Sequence, residues 1–599
     1  MKQKIKHAVR IDRALKFVWQ AAPFYTTVNL VMIVILGIFP LFILYLLKLI
    51  IDAVTTALSA PDKMAEFKTI GFLIALAAGA ALLNSIFQLI SNLVKEAQSL
   101  TFTDHTYDIL HAKSIEVDLE YYENPQYFDT LRRAQQEGPF RPTHVLNSLV
   151  TLGQNGISLA AMAGLLFYFH WSIAAVLFIS VIPGILVRIK YSNKLYRWER
   201  KRTQTERKAD YFSWILTGST HAKELRVFGF GNLFQHRFND LRKALRLERL
   251  SISRSRSLAD FAAQTAAILP VFGSYAFIAY RTIQGVITLG DMVMFFQAFQ
   301  RGLNYLRELL SGLANIYEDN LFLYNFFEFL DLKPKITEPI HPKPMPKPME
   351  QGIVFDHVSF QYPASKRSVL KDITLSVKPN EVIALVGENG SGKTTLIKLL
   401  CRLYDPTDGA ITLDGINLRQ FETASLRREI SVIFQDYVHY YMTARENIWL
   451  GNIDLKSDHN NIIEAANNAG VHDLIHSLPQ GYDTILGKWF DEGEELSVGE
   501  WQKIALARTF MRDSQLIVLD EPTSSMDAKS EYDVFSRFRN LIKGHSAIII
   551  SHRFSTVRMA DRIYVLEDGK VLEQGSHEEL IKNKGKYENL FSKQAQYYK

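Results

Sequence analysis

Long apolar runs fill the first half of the chain, whereas short runs with alternating apolar and polar positions fill the second half. A bilayer core about 30 Å thick takes roughly 20 apolar residues in a helix. Runs of about this length lie at 28–50, 69–93, 146–169, 172–187, 258–280 and 287–313. The pattern predicts an all-α membrane domain of six spans over residues 1–332.

The sixth run differs from the others because Gln297, Gln300 and Arg301 interrupt it. Polar side chains at membrane depth face a cavity or another helix rather than lipid. The neutral polar residues and the Met and Phe residues of the spans suit a hydrophobic or amphipathic cargo. Helix packing explains the same residues equally well, so the cargo class stays open.

Charged residues set the predicted orientation. The N-terminus and the connection after the fourth run, residues 188–208, are the most basic segments, which places both on the cytoplasmic side. We expect no cleaved signal peptide before the first span. The two cytoplasmic connections are too long for bare loops and continue the helices outward. Their aromatic and basic stretches, Tyr121–Arg133 and Tyr211–Phe228, are either coupling segments or solvated turns.

A linker rich in Pro and Lys, residues 333–350, separates this domain from a second one over residues 351–599. Alternating Pro residues make such a segment extended and stiff. A strand is predicted at Ile353–Tyr362 and another at Glu381–Val386, followed by a helix at Thr395–Leu403.

The second predicted strand leads directly into a glycine-rich phosphate loop. Glycines let the backbone N–H groups turn toward phosphates, the lysine adds a positive charge, and the hydroxyl after it suits Mg²⁺. The predicted ATP-binding residues of this loop are Gly387, Glu388, Asn389, Gly390, Ser391, Gly392, Lys393, Thr394 and Thr395.

An apolar strand ending in two carboxylates, Asp520 and Glu521, follows about 130 residues later. Asp520 is predicted to hold Mg²⁺, and Glu521 to accept a proton from the attacking water. An Asp-Glu pair can also end an ordinary strand, but the phosphate loop favours the catalytic interpretation.

From about residue 350 onward the chain resembles the nucleotide-binding domain of ABC (ATP-binding cassette) transporters. The segment Leu496, Ser497, Val498, Gly499 and Glu500 stands where that superfamily has its LSGGQ signature. Val498 and Glu500 depart from the commonest form, which leaves an asymmetric pair of sites open. The resemblance implies that this signature closes over the ATP of the opposite subunit.

The resemblance also implies roles for four further residues. Tyr362 would stack on adenine, although a core tyrosine at a strand edge is the alternative. Gln435 would touch Mg²⁺, together with Thr394 and Asp520. Asp527 would cross the dimer interface, and His552 would contact the γ-phosphate. The implied catalytic residues are Glu521, His552, Gln435 and Lys393.

The whole chain is therefore identified as a member of the exporter-type half-transporters. The implied fold is a six-helix membrane domain followed by an α/β P-loop ATPase domain with an antiparallel β subdomain and a helical subdomain. The implied cofactors are ATP and Mg²⁺, and the partners are the lipid bilayer, a second subunit and a small-molecule, lipid or peptide cargo. A homodimer is favoured over a heterodimer, and a bacterial inner membrane is the expected location.

Composition excludes some other classes of protein. The single cysteine, Cys401, rules out a disulfide within the chain and a thiol-rich metal site. The net charge of +6 gathers beside apolar runs, so we expect no nucleic-acid partner. Two alternatives stay open: an importer built on the exporter fold, such as a siderophore uptake protein, and an ATP-gated channel or regulatory subunit.

Overall fold

The computed structural model describes residues 11–59, 63–124, 131, 135, 141–363, 365–456, 459–522, 536–538 and 544–597. The chain forms two compact units. The first contains residues 1–116 and 129–332, and the second contains residues 117–128 and 333–599.

The described part of the first unit is helical. Its helices are α1 (Ile11–Ala21), α2 (Pro23–Ser59), α3 (Lys63–Glu116), α5 (Arg141–Phe169), α6 (Trp171–Thr217), α7 (Ala222–Val227), α8 (Gly231–Ile283) and α9 (Leu289–Leu330). Five of them, α2, α3, α5, α6 and α8, are long and apolar enough to cross a membrane. A span at α9 stays a prediction.

Although polar residues interrupt α9, several of its apolar side chains lie in the core of the first unit. Met294, Phe295 and Phe299 are buried in a core shared with α2, α5, α6 and α8. These side chains therefore serve helix packing, the alternative that the sequence left open. Thr288 and Asp291 form a capping box that begins the helix.

Besides its apolar core, the first unit buries paired polar groups and exposes large apolar side chains. Asn155 donates to Glu308 at 2.9 Å, and Ser158 donates to the carbonyl of Gly37 at 2.9 Å. Large apolar side chains such as Leu269, 81% exposed, lie on the outside. Apolar side chains on the outside together with paired polar groups inside suit a surface in contact with lipid, where unpaired polar groups are costly.

The second unit contains two sheets. A four-stranded antiparallel sheet has the order β2-β1-β4-β5, and a six-stranded sheet has the order β10-β9-β3-β8-β7-β6. The strands are β1 (Ile353–Gln361), β2 (Ser368–Val377), β3 (Val382–Gly387), β4 (Asp408–Leu413), β5 (Ile416–Asn417), β6 (Ile430–Ile433), β7 (Leu516–Asp520), β8 (Ser546–Ile550), β9 (Arg562–Glu567) and β10 (Lys570–Gly575).

The larger sheet is parallel except for β10, which pairs antiparallel with β9. Every residue of β3, β7 and β8 is buried, because parallel strands are covered on both faces. The carboxyl ends of these strands carry the candidate site, as expected for an open parallel sheet.

Helices surround the sheets of the second unit. They are α4 (Leu119–Glu123), α10 (Lys393–Leu400), α11 (Thr423–Arg428), α12 (Ala444–Trp449), α13 (His459–Asn468), α14 (His472–Ser477), α15 (Val498–Phe510), α16 (Phe554–Val557), α17 (His577–Lys582) and α18 (Lys586–Tyr597). Helices α12 to α15 form a helical part between β6 and β7. The helix predicted from Thr395 begins two residues earlier, because Gly392 already provides its N-cap.

Two buried side chains of this unit lie on helices that flank the candidate site. Trp501 on α15, 2% exposed, packs in the core. Cys401 is buried at the end of α10, and burial raises the pKa of its thiol to about 12. The single thiol of the chain is therefore protonated and inaccessible.

Candidate nucleotide-binding site

The phosphate loop connects β3 to α10. Gly390 has a φ of +81° and Gly392 a φ of +105°, which residues with a side chain rarely adopt. A Cβ at Gly392 would also lie 2.5 Å from Leu370 Cδ2. The sequence folds this way because only glycine permits the turn that brings the start of α10 over the strand end.

Lys393 is buried inside this loop, with 7% of its surface exposed. Its Nζ donates to the carbonyls of Gly387 and Glu388 at 2.8 and 3.1 Å. Burial lowers the pKa of Lys393, whereas the carboxylates of Asp520 and Glu521 oppose that shift. The Lys393 ammonium group is thus held by backbone carbonyls in the loop, where it could also bind a negatively charged phosphate.

The side chain of Ser391 indicates that the loop can bind a phosphate. Its buried Oγ has no hydrogen-bond partner among the described residues. A phosphate oxygen would satisfy it, and backbone N–H groups at a helix N-terminus add further donors. The residues present therefore fit the phosphates of ATP.

Asp520 ends β7 opposite the start of α10. Its Oδ2 accepts a hydrogen bond from Thr394 Oγ1 at 2.8 Å. Burial raises the pKa of Asp520, and the bond from Thr394 acts in the opposite direction. A buried carboxylate next to a hydroxyl supplies the oxygen ligands that Mg²⁺ prefers, so this pair fits the cation.

Glu521 is held between two polar side chains. Gln435 Nε2 donates to its Oε2 at 3.1 Å, and His552 Nε2 lies 3.1 Å from its Oε1. Its φ of +50° lies in the left-handed region, which is uncommon outside glycine and turns the chain at the strand end. This brings together three of the four implied catalytic residues, and Lys393 adds its charge nearby.

The protonation of His552 suits this arrangement. Burial lowers its pKa, the charge of Lys393 lowers it further, and Glu521 opposes both. A neutral imidazole can donate from Nε2 to Glu521 while Nδ1 remains an acceptor. Both oxygens of Glu521 are then acceptors, one for Gln435 and one for His552.

The signature segment begins α15 with a capping box. Ser497 accepts from the N–H of Glu500 at 3.4 Å, and Glu500 accepts from the N–H of Ser497 at 2.7 Å. Glutamate and glutamine serve equally well at this position of a capping box. The departure at Glu500 therefore preserves the helix start. Val498 has 60% of its surface exposed, so no packing inside the unit fixes its side chain.

Within the described residues, no hydrogen bond joins the signature segment 496–500 to the phosphate loop 387–395. Asp527 lies outside the described residues. Tyr362 lies beside the loop, where its hydroxyl is 3.2 Å from Thr395 Oγ1. Its ring meets Phe360 and Tyr404 edge-on, so it also belongs to the neighbouring core.

Sequence reasoning missed two residues that support this site. Gln502 is buried and donates to the carbonyl of Glu521 at 3.1 Å. Tyr437, two residues after Gln435, donates to the carbonyl of Val498 at 2.9 Å. A glutamine next to the apolar residues Trp501 and Ile504, just after the signature, was the available signal for the first. The second contact joins distant segments and leaves no local pattern.

Helix α4 also belongs to this unit, although it follows α3 directly in sequence. Glu123 accepts from Lys398 Nζ at 2.7 Å and from the hydroxyl of Tyr404 at 2.6 Å. Burial and the Glu123 carboxylate both raise the pKa of Tyr404. Burial lowers the pKa of Lys398, but the bond to Glu123 and the nearby charges of Glu123, Tyr362 and Asp436 together outweigh burial, so the pKa is raised overall.

Comparison with known proteins places this geometry in a family. Residues 370–524 match the model of the ABC transporter domain. The chain is 34% identical to the subtilin transport ATP-binding protein SpaT of Bacillus subtilis over 80% of its length and 78% of that protein.

This chain belongs to the ABC transporter family. The resemblance found in the sequence is thereby confirmed, and the protein couples ATP binding and hydrolysis to transport as an integral membrane protein with several spans. Other relatives of this ABC transporter are the nisin transport protein NisT of Lactococcus lactis subsp. lactis, 31% identical over 79% of each chain, and an ATP-dependent lipid A-core flippase of Burkholderia orbicola, 32% identical over 75% of this chain and 74% of that one.

The fold comparison agrees. A bacterial Atm1-family ABC exporter with ATP bound superposes with a TM-score of 0.84 at 24% identity, covering 96% of this chain and 99% of that one. The predicted fold class, a helical membrane domain followed by an α/β ATPase domain, is confirmed.

Proposed function

We propose that this ABC transporter is a homodimeric exporter that moves an amphipathic peptide or lipid out of the cell and is driven by hydrolysis of Mg-ATP. The observation that carries the proposal is Glu521 held between Gln435 and His552, which supplies a complete hydrolytic set. Relatives named for subtilin, nisin and lipid A support an amphipathic cargo.

Each ATP would lie between the phosphate loop of one subunit and the signature of the other. The lack of any hydrogen bond between these two segments among the described residues supports this arrangement. Ser497, Gly499 and the exposed Val498 would face the partner's nucleotide, and Asp527 would contact the partner. A full catalytic set in one chain favours two identical subunits over a heterodimer with one inactive site.

The chemistry follows from the geometry. Lys393 and the loop N–H groups would bind the phosphates, Tyr362 would contact the adenine, and Glu521 would accept the proton of the attacking water. Thr394, Asp520 and Gln435 would hold Mg²⁺, which balances charge on the phosphates when it is bound. His552 would orient Glu521 and contact the γ-phosphate.

Helix α4 would act as a coupling segment. Glu123 ties it to α10, and α10 carries Lys393 at its start. Movement at the phosphate loop would therefore reach the chain that leaves α3. We propose that residues Tyr211–Phe228 form the second such segment. Several of their aromatic side chains are exposed.

The membrane arrangement completes the proposal. Six spans would lie within residues 1–332, the N-terminus and residues 351–599 would be cytoplasmic, and the host membrane would be a bacterial inner membrane. The basic connections described above support this orientation under the positive-inside rule.

Flux in sealed proteoliposomes tests the proposal. Wild type and Glu521→Gln are reconstituted with the ATPase units outside, and ATP is added with a panel of amphipathic peptides, lysolipids and dyes. We expect uptake into the vesicle lumen by the wild type, which corresponds to export from a cell. The variant should bind ATP but transport at background rate.

Two outcomes would contradict the proposal. ATP-driven movement toward the ATPase side would identify an importer built on this fold. Hydrolysis without movement of any probe would favour a regulatory or channel protein. Glu464→Gln, an exposed glutamate on α13, provides the matched control and should leave flux unchanged.

A further inference from the structure

A cavity of about 240 Å³ lies within the first unit between α6, α8 and α9. Its polar lining consists of Ser180, Arg188, Arg256, Asp260, Gln264 and Arg307, and the remaining residues of the lining are apolar or glycine. Three arginines and one aspartate leave an excess of two positive charges around a largely apolar space.

The partners of these arginines show which charges are compensated. Arg256 Nε lies 3.6 Å from Asp260 Oδ2, one helical turn away. Arg188 donates to the neutral hydroxyl of Ser311 at 2.5 Å. Arg307 forms no hydrogen bond or ion pair with the residues that the structure describes. Asp260 is the only carboxylate in the lining and its ion pair is with Arg256, so Arg188 and Arg307 are the arginines without an ion pair among the described residues.

The direction of the Arg188 side chain excludes a simpler explanation, namely an interaction with lipid headgroups. Arginines at the ends of spans commonly extend along the helix toward lipid headgroups. Arg188 instead reaches across to Ser311 on α9, so its guanidinium points into the helix bundle. A half-buried cation without a carboxylate partner is costly unless an anion joins it.

We propose that this cavity binds the anionic group of an amphipathic cargo, a phosphate or a carboxylate at the end of an apolar chain. The inference rests on the proposed function and names the cargo class. Arg188 and Arg307 are the ligands of the anion, because planar guanidinium groups bind phosphate and carboxylate through paired hydrogen bonds. Gln264 adds a neutral donor. The apolar lining receives the chain, and a cationic group is repelled.

Binding to the full-length Glu521→Gln protein in a neutral detergent tests the site independently of transport. The probes are lysophosphatidic acid, lysophosphatidylcholine with the same acyl chain, dodecyltrimethylammonium and inorganic phosphate alone, measured by titration calorimetry. We expect lysophosphatidic acid to bind at least about tenfold more tightly than the other three probes.

Substitutions locate the binding. Arg307→Gln and Arg188→Gln should each weaken binding of lysophosphatidic acid about tenfold, and Arg256→Gln should weaken it less because Asp260 already neutralises that charge. Arg237→Gln, exposed on α8 and absent from the cavity lining, is the control and should change nothing. Arg307→Glu should shift the preference toward dodecyltrimethylammonium, a gain that misfolding cannot produce.

Other results would overturn the inference. Equal affinity for the anionic and the zwitterionic lysolipid would show that the arginines do not select charge. Inorganic phosphate binding as tightly as lysophosphatidic acid would indicate a site for a free anion. Competition by phosphatidylglycerol in nanodiscs, but not by phosphatidylcholine, would support the anion site and identify the bilayer as the source.

The two proposals fail separately. Loss of flux for every probe with selective binding intact would remove the transport proposal and leave the site. Flux of neutral and cationic probes that is insensitive to Arg188→Gln and Arg307→Gln would remove the site and leave the transporter.

Discussion

The two units of the chain differ in the side chains that they expose and in the polar groups that they bury. The ATPase unit encloses large apolar side chains such as Trp501 and places a buried carboxylate, Asp520, at the end of a strand in the candidate site. The membrane unit has an apolar core as well, but it also exposes large apolar side chains and buries the amide pair of Asn29 and Gln98 between two helices. We therefore expect buried polarity to serve the reaction in the ATPase unit and helix association in the membrane unit.

This difference separates activity from stability. In the ATPase unit, burial of apolar side chains should supply most of the free energy of unfolding. The buried charged groups should instead determine the rate of ATP hydrolysis. In the membrane unit, lipid solvates apolar side chains outside the bundle as well as the core does, so polar contacts gain relative weight.

Trp501→Ala should lower the free energy of unfolding of the ATPase unit by about 3–5 kcal/mol, because it leaves a cavity in a packed core. Trp489→Ala is the control, since 74% of Trp489 is exposed. Denaturant unfolding of the full-length protein in detergent measures both. Equal small shifts would show that apolar burial does not dominate this unit.

Asp520→Asn should reduce the ATPase rate about 100-fold or more, because the variant loses the charge that we propose binds Mg²⁺. The unfolding transition should stay within about 0.5 kcal/mol, since the amide oxygen can still accept the bond from Thr394. Asp513→Asn, an exposed aspartate before β7, should alter neither quantity. A marked loss of stability together with activity would assign Asp520 a structural role.

Gln98→Leu should destabilise the membrane unit by about 1 kcal/mol without a direct effect on hydrolysis. Gln98 accepts a hydrogen bond from Asn29 and donates to Thr26 at 2.7 Å, so its loss leaves a buried amide unpaired. Gln88→Leu on the same helix is exposed and should be neutral or stabilising. Thermal denaturation of both variants in the same detergent measures the difference. If Gln98→Leu has no effect, buried polar contacts do not stabilise the membrane unit as proposed.

Acidification should give the smallest effect. The pKa of His552 is lowered by burial, so the folded protein keeps the imidazole neutral while the unfolded chain protonates near pH 6.5. His552 therefore does not reduce the stability of the folded protein above about pH 6.5. Stability falls as the pH drops from there toward the pKa of His552 in the folded state. We expect ATPase activity to decline a few-fold over that window, and we expect His552→Gln to flatten the decline in activity. His476→Gln, an exposed histidine, should retain it.

The sequence predicted the ATPase unit well because its chemistry lies in short local segments. Strand β3, the glycines and Lys393 follow one another, and Asp520 and Glu521 end one strand. Bounds shifted by only a few residues, as at α10, where the N-terminal glycine begins the helix earlier than the apolar pattern. The fold class followed from the same patterns and is confirmed by the comparisons.

The features that the sequence did not predict depend on contacts between distant segments. The stretch that contains Glu123 was interpreted as a coupling segment or a solvated turn, but no local pattern identifies its partners, because Lys398 and Tyr404 lie far along the chain. From the sequence, the apolar residues of α9 suited the lining of a cavity or a packed core equally well. The structure places Met294 and its neighbours in a core. The arginines of the cavity came from three helices whose proximity no local pattern shows.

The buried position of Cys401 has a practical consequence for spectroscopy. A protonated, enclosed thiol does not react with maleimide or methanethiosulfonate reagents at neutral pH, so the wild-type chain already behaves as a cysteine-free background. Single cysteines at exposed positions can therefore carry spin labels or fluorophores without prior removal of native thiols. Distances between equivalent labels in two subunits could then follow the nucleotide cycle in an otherwise unaltered protein.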